Sequence, residues 1–318
     1  MKIALLGGGM DIHALPLALS SLCPSVDCYL APRYAREIFD GKTLEERLND
    51  SGIRNFIVND ESAFQFLIKD KGYDLILGLG PAWILSETTL SLANRWVNIN
   101  PIPIPKYLGG AHSTWQLLHH DDLGSIIFQE ISFPVDRGQV LARFDFTYSS
   151  EHTTPESRLA ENSRQLIRII KEAVGRIEEK PKHLHNDVDF LNREYWPRLN
   201  TETHGWIDWH WTGLEIVRFV QAFAQPYVGA HSELLGEKVY FENAIFLESR
   251  DLHPFSAGII VRSNSRASLD VAVKDGILRV AMKLPVKSDL QYIEGLRFHT
   301  PVAKLELAKK VNLRSRDM

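Results

Sequence analysis

The chain has 318 residues, 44% hydrophobic and 24% charged, with a formal net charge of −4. That length supports two domains with real cores, and the near-balanced charge gives no electrostatic case for nucleic acid or an anionic membrane as the main partner. Two cysteines, Cys23 and Cys28, exclude a disulfide framework and point to reduced thiols in a cytoplasmic protein.

Met1–Gly7 is too short an apolar run for a signal peptide, and no later run reaches membrane-spanning length. The first two-thirds alternates apolar runs of strand length with helical patterns, which predicts an α/β domain with a largely parallel sheet. The expected strands are Ile3–Leu6, Val26–Leu30, Phe56–Val58, Leu75–Leu79, Val97–Asn100, Ser125–Ile131 and Val140–Phe146. Helical segments are expected near 13–21, 61–70, 84–93 and 110–120. Gly7-Gly8-Gly9 lacks the third glycine of a dinucleotide fingerprint, so it reads as the tight turn into the first helix, where an anionic part of a ligand is also favoured. A longer helix opens with Thr154 as N-cap and Pro155 in the first turn, and carries Leu159, Leu166, Ile170, Val174 and Ile177 on one face.

His183-Leu184-His185 has the look of a metal-ligand pair, but its polar, aperiodic surroundings read as a solvated loop, and no metal is expected. The predicted organisation is a first domain over 1–190, a linker over 191–204 and a second domain over 205–318. In the second, short alternating runs such as Lys238–Phe241, Gly258–Arg262, Leu269–Val273 and Leu278–Met282 predict a small OB-like β-barrel.

The most informative stretch is Val97 to Gly110, a short apolar strand that runs into Asn98 and Asn100 and then a loop stiffened by Pro101, Pro103 and Pro105. Side chains two apart on a strand share a face, so the two amides are expected to face one reacting group while Val97 and Ile99 pack into the sheet. The stretch resembles the N-x-H-P-S-L-L-P-x-Y-x-G signature of the 10-formyltetrahydrofolate-dependent formyltransferases. Asn100 stands where that family has its catalytic histidine. Tyr195-Trp196-Pro197-Arg198, Trp206-Ile207-Asp208-Trp209 and Ile216 to Phe223 are similar to the passage that joins the family's two domains, so Trp206, Trp209 and Trp211 are expected to pack between domains.

The resemblance implies a Rossmann-like formyltransferase domain followed by the OB-like one. It implies 10-formyltetrahydrofolate as formyl donor, held by Gly78, Gly80, Trp83, Ile84, Leu85, Pro101 and Gly109, with Trp83 placed to stack on a pterin. It further implies Asn98 as a donor to the formyl oxygen and Asp136, in Val135-Asp136-Arg137-Gly138, as the residue that orients its neighbours and relays a proton.

Asn100 has no basic nitrogen to receive that proton. His112, at the start of a helix after Gly109-Gly110-Ala111, is the candidate replacement base, whereas His119 and His120 read as a solvated helix end. Two readings stay open: an N-formyltransferase with an altered site, acting on a small amine such as an amino sugar or a biosynthetic intermediate, and a non-catalytic relative that keeps the pocket. A methionyl-tRNA formyltransferase is a further alternative, but fifteen Lys or Arg against fourteen Asp or Glu from residue 201 onward argues against tRNA as a partner. A homodimer is left open.

Overall fold

Seven apolar runs form one sheet: β1 (Ile3–Gly7), β2 (Asp27–Leu30), β3 (Asn55–Ile57), β4 (Tyr73–Leu79), β5 (Ala93–Asn100), β6 (Leu123–Glu130) and β7 (Val140–Thr147). The computed structural model describes residues 1–132, 138–180, 192–265, 267–283 and 294–310. Asp136, His183 and His185 lie outside the described residues. By internal packing the chain divides into two units, one of 1–106, 123–146 and 161–193 and the other of 107–122, 147–160 and 194–318.

In the first unit the strand order is β7-β6-β5-β4-β1-β2-β3. β1 pairs in parallel with both β2 and β4, and β5 pairs in parallel with β4 but antiparallel with β6. The chain leaves β1 in one direction for β2 and β3 and later returns on its other side with β4 and β5. The ends of β1 and β4 therefore form the switch point at which open α/β sheets place ligands.

Near-continuous Ile, Leu and Val content follows from burial on both faces. One face carries Ile3, Leu5, Leu75, Leu77, Val97, Ile99 and Phe128 against Ile12 and Leu15 of α1 (Asp11–Leu19). Leu166, Ile170, Val174 and Ile177 of the 25-residue helix Pro155–Glu179 pack on the same core. Leu159 does not join them: it is 56% exposed, because the helix's first turns belong to the other unit. The opposite face carries Leu6, Tyr29, Ile76 and Trp96 against Phe64 and Ile68 of the helix Glu61–Ile68.

Two expectations need correction. The segment 84–93 yields only one helical turn, Glu87–Leu90, because Ser86 caps it late and β5 begins at Ala93. The helix Leu44–Asp50 was not expected, although Thr43 and Glu46 form a capping box.

The second unit is built on β8 (Ala230–Leu234), β9 (Glu237–Ser249), β10 (Ile260–Ser265), β11 (Ser268–Val273) and β12 (Gly276–Met282), in the order β8-β9-β12-β11-β10. All four pairings are antiparallel, and two register shifts in the 13-residue β9 let it bend. His299 bridges to Glu233 of β8 and Arg297 to Ile259 beside β10, so one short segment covers both edges of the sheet, as a small barrel requires. Trp209 is buried within this unit, stacked on Phe298 at 5.2 Å and donating to Ser232 Oγ at 2.9 Å, and Trp206 packs edge-on to His231. These tryptophans are thus core residues of the second unit, where their indole area is best buried. Among the described residues no helix is long and apolar enough to cross a membrane.

Candidate active site

Strand alternation sets the site. Val97 and Ile99 are buried in the core, and Asn98 and Asn100 turn to the other face. Asn98 sits opposite Gln129 of β6 in an antiparallel register, which brings the two side chains to the same face. Asn98 Nδ2 donates to Asn100 Oδ1 at 2.8 Å, Asn100 Nδ2 donates to Gln129 Oε1 at 3.3 Å, and Gln129 Nε2 donates to the Gly138 carbonyl at 2.9 Å. Gln129 is only 2% exposed and was missed in the sequence. Its one signal there is a lone amide inside the apolar run Ile126-Ile127-Phe128.

Asn98 and Gln129 line a cleft of about 280 Å3 together with Pro81 to Leu85 and Glu130 to Ser132. That volume sits just under the roughly 300–1,000 Å3 usual for small-molecule sites. Trp83 backs onto Phe64, with ring centroids 6.4 Å apart, while Leu85 is buried and Ile84 is 71% exposed. Asn98 Oδ1 is buried and has no hydrogen-bond partner among the described residues. Flat apolar walls beside a side-chain amide suit a planar heterocycle.

The loop that carries Trp83 is anchored to the helix Glu61–Ile68. Ser86 N–H donates to Glu61 Oε1 at 2.6 Å, and the Thr89 hydroxyl donates to the same oxygen. Burial alone would push the Glu61 carboxyl up, but these hydrogen bonds outweigh it and hold the group below its usual range.

At the ends of β1 and β4, Tyr34 lies against Gly8, where a Cβ would come within 2.3 Å of its ring, and its hydroxyl donates to the Gly80 carbonyl at 2.8 Å. Gly9 N–H donates to Glu37 at 3.2 Å. One N–H of the glycine turn is thus taken up by a carboxylate of the chain itself, with the Arg33 cation acting on Glu37.

Of the other expected residues, Gly78, next to last in β4, pairs with Asn98, Gly80 follows at φ +64°, and Pro101 is half-buried after Asn100. Gly109 and His112 belong to the second unit. A Cβ on Gly109 would lie 2.2 Å from the Trp196 carbonyl, so its glycine is demanded by chain packing. His112 opens the helix His112–Leu118, and burial, aided by the Arg158 cation, pushes its imidazole down to about 4. Arg158 is 1% exposed and held by Asp122 at 2.8 Å and by the Asp121 and His152 carbonyls. Among the described residues no group of His, Cys, Asp and Glu could hold a metal ion.

The first unit defines an α/β ligand-binding sheet with an amide-lined cleft at its C-terminal edge, and the second an antiparallel-sheet domain. Residues 200–289 match the family described as formyl transferase, C-terminal domain. Methionyl-tRNA formyltransferase of Borrelia duttonii (strain Ly) is 25% identical over 191 residues, and the chain spans 58% of that relative's length as the match covers 58% of this chain. WlaRD, a sugar 3N-formyl transferase solved in the presence of dTDP and 5-N-formyl-THF, superposes with a TM-score of 0.65 at 17% identity, covering 90% of this chain and 98% of that one. The N-formyltransferase from Helicobacter canadensis, solved with folinic acid and dTDP-3-aminofucose, gives 0.61 at 12% identity over 89% and 100%. At these identities the structural likeness is one of fold. Residues 200–289 thus carry the formyl transferase C-terminal domain, and the rest of the chain is similar to formyltransferases in sequence and in fold.

Proposed function

We propose that this protein is an N-formyltransferase that moves a formyl group from 10-formyltetrahydrofolate to the amine of a small molecule, an amino sugar or a biosynthetic intermediate. The observation that carries this reading is the cleft in which Asn98, with its unpartnered Oδ1, stands beside Trp83 and Leu85. Those walls suit the pterin of the donor, and Asn98 offers an amide N–H where the formyl group and the amine would meet.

The amine nitrogen attacks the formyl carbon, the carbonyl oxygen takes up negative charge, and the carbon–N10 bond then breaks as N10 gains a proton and the amine loses one. An amide N–H of Asn98 stabilises the developing oxyanion, a contribution of about 10²–10³-fold when one such donor is removed from an acyl-transfer site. Asn100 holds Asn98 in place and cannot take the proton. Asp136, by its place in the sequence motif, is assigned the proton relay. The near-balanced charge of the second unit supports a small acceptor over tRNA.

Loss of an ionisable group at position 100 favours one second reading, a homologue that binds folate without turning it over. Incubation with 10-formyltetrahydrofolate and a panel of small amines, read by mass spectrometry, separates the two. A formylated amine with stoichiometric tetrahydrofolate supports the enzyme. Binding of 5-formyltetrahydrofolate with no formylated product from any amine supports the binding homologue.

A further inference from the structure

A carboxamide has two ends of opposite hydrogen-bonding sense, and which end faces which neighbour is fixed by the network around it. The Gly138 carbonyl, 2.9 Å from Gln129 Nε2, can only accept. Gln129 must therefore present its NH2 to Gly138 and its oxygen to Asn100. Asn100 must in turn present its NH2 to Gln129 and its oxygen to Asn98, at 3.3 and 2.8 Å. The chain leaves Asn98 one orientation, with NH2 toward Asn100 and Oδ1 buried toward Gly78, where a Cβ would come within 3.0 Å of it.

We infer that Gln129 is a positioning residue: anchored on the Gly138 carbonyl, it sets the direction of the amide chain through Asn100 and so decides that Asn98 turns its oxygen toward Gly78 and keeps its second N–H for a ligand. Gln129 comes from the antiparallel strand β6, where it sits opposite Asn98. Without the anchor both asparagines can turn over, which exchanges a donor for an acceptor at the reacting group. The chemical consequence rests on the formyl-transfer reading of the cleft; the orientation itself does not.

The tests are Gln129→Met, which keeps shape and removes both polar ends, and Gln129→Glu. In the wild type the Asn100 side-chain NH2 is expected to resist hydrogen exchange in NMR, and in Gln129→Met that protection should fall at least about tenfold in a protein that still folds. Unchanged protection of the Asn98 and Asn100 amides would overturn the inference, whether or not an amine acceptor has been found. With an acceptor in hand, Gln129→Met should lower kcat about 10–100-fold with KM for the folate within about twofold, the signature of misorientation rather than lost binding.

Gln129→Glu adds a readout that loss of packing would not give. A protonated carboxyl both accepts from Asn100 and donates to Gly138, whereas the ionised form repels the Gly138 carbonyl. The activity of this variant relative to wild type should therefore rise as pH falls through the glutamate's titration. A ratio flat with pH would overturn the inference. Failure of the wild type to formylate any amine while the amide protection behaves as expected would sink the proposed function and leave the role of Gln129 standing.

Discussion

Asn98 and Asn100, two residues apart on β5, are joined by a 2.8 Å hydrogen bond from the first amide to the second. Asn100 orients its neighbour and exchanges no proton at any accessible pH. On the proposed formyl-transfer reading, the site is strong in positioning and oxyanion stabilisation and weak in proton transfer.

Asn100→His tests that division. One ring nitrogen can donate to Gln129, which keeps the anchor, and the other, once released from the Asn98 amide, is a base. Turnover of an alkylamine, protonated near neutral pH, should rise by about tenfold or more, within the roughly 10²–10⁴-fold span of general-base catalysis. An amine already neutral at pH 7 should gain less than about threefold, since a base has less to do for it. Steady-state kinetics on the two amines checks this, and equal gains would show that the proton is not what limits the site.

Gly78→Ala probes the fit behind Asn98. Its Cβ would stand 3.0 Å from Asn98 Oδ1 and 3.1 Å from Pro81 Cγ. The neighbours must give by a few tenths of an ångström, so a kcat loss of about tenfold is expected with folding stability changed by under about 1 kcal/mol. Thermal unfolding and single-turnover rates measure the two separately.

The second unit should lose stability in acid through its histidines. Burial pushes His231 down to about 4, with Lys238 adding to the shift and Glu202 opposing it, and His112 falls to a similar value through burial and Arg158. Both folded values lie below the unfolded value near 6.5, so the unfolded state binds more protons between about pH 6.5 and 4. Their contribution is present above pH 6.5 and fades as pH falls toward 4. Full titration of His231 is worth about 3 kcal/mol on this scale. Urea midpoints at pH 7 and pH 4.5 should differ less for His231→Phe than for wild type. An equal acid loss in both would assign the acid limb to other groups.

The same values bear on what was legible in the sequence. The seven strands of the first unit could be read because burial on both faces leaves apolar runs, and the alternation of Val97, Asn98, Ile99 and Asn100 announced a polar face. Gln129 could not be assigned a role, because its place opposite Asn98 depends on an antiparallel register between residues 31 positions apart in sequence. His112 invited a catalytic reading that its burial, aided by Arg158 46 positions later, qualifies, since an imidazole pushed to about 4 is a weak base. Tyr34 and Glu37 turned the glycine segment inward for the same reason: the contacts that decide it are tertiary.

Asn98→Ala tests the central claim most directly. The account predicts that kcat for formyl transfer falls about 10²–10³-fold, the usual loss of one oxyanion donor, while the dissociation constant of 5-formyltetrahydrofolate, held by the walls at Trp83 and Leu85, moves by less than about fivefold. A variant that transfers formyl at the wild-type rate would contradict it, because the amide-lined cleft would then not be where the reaction takes place.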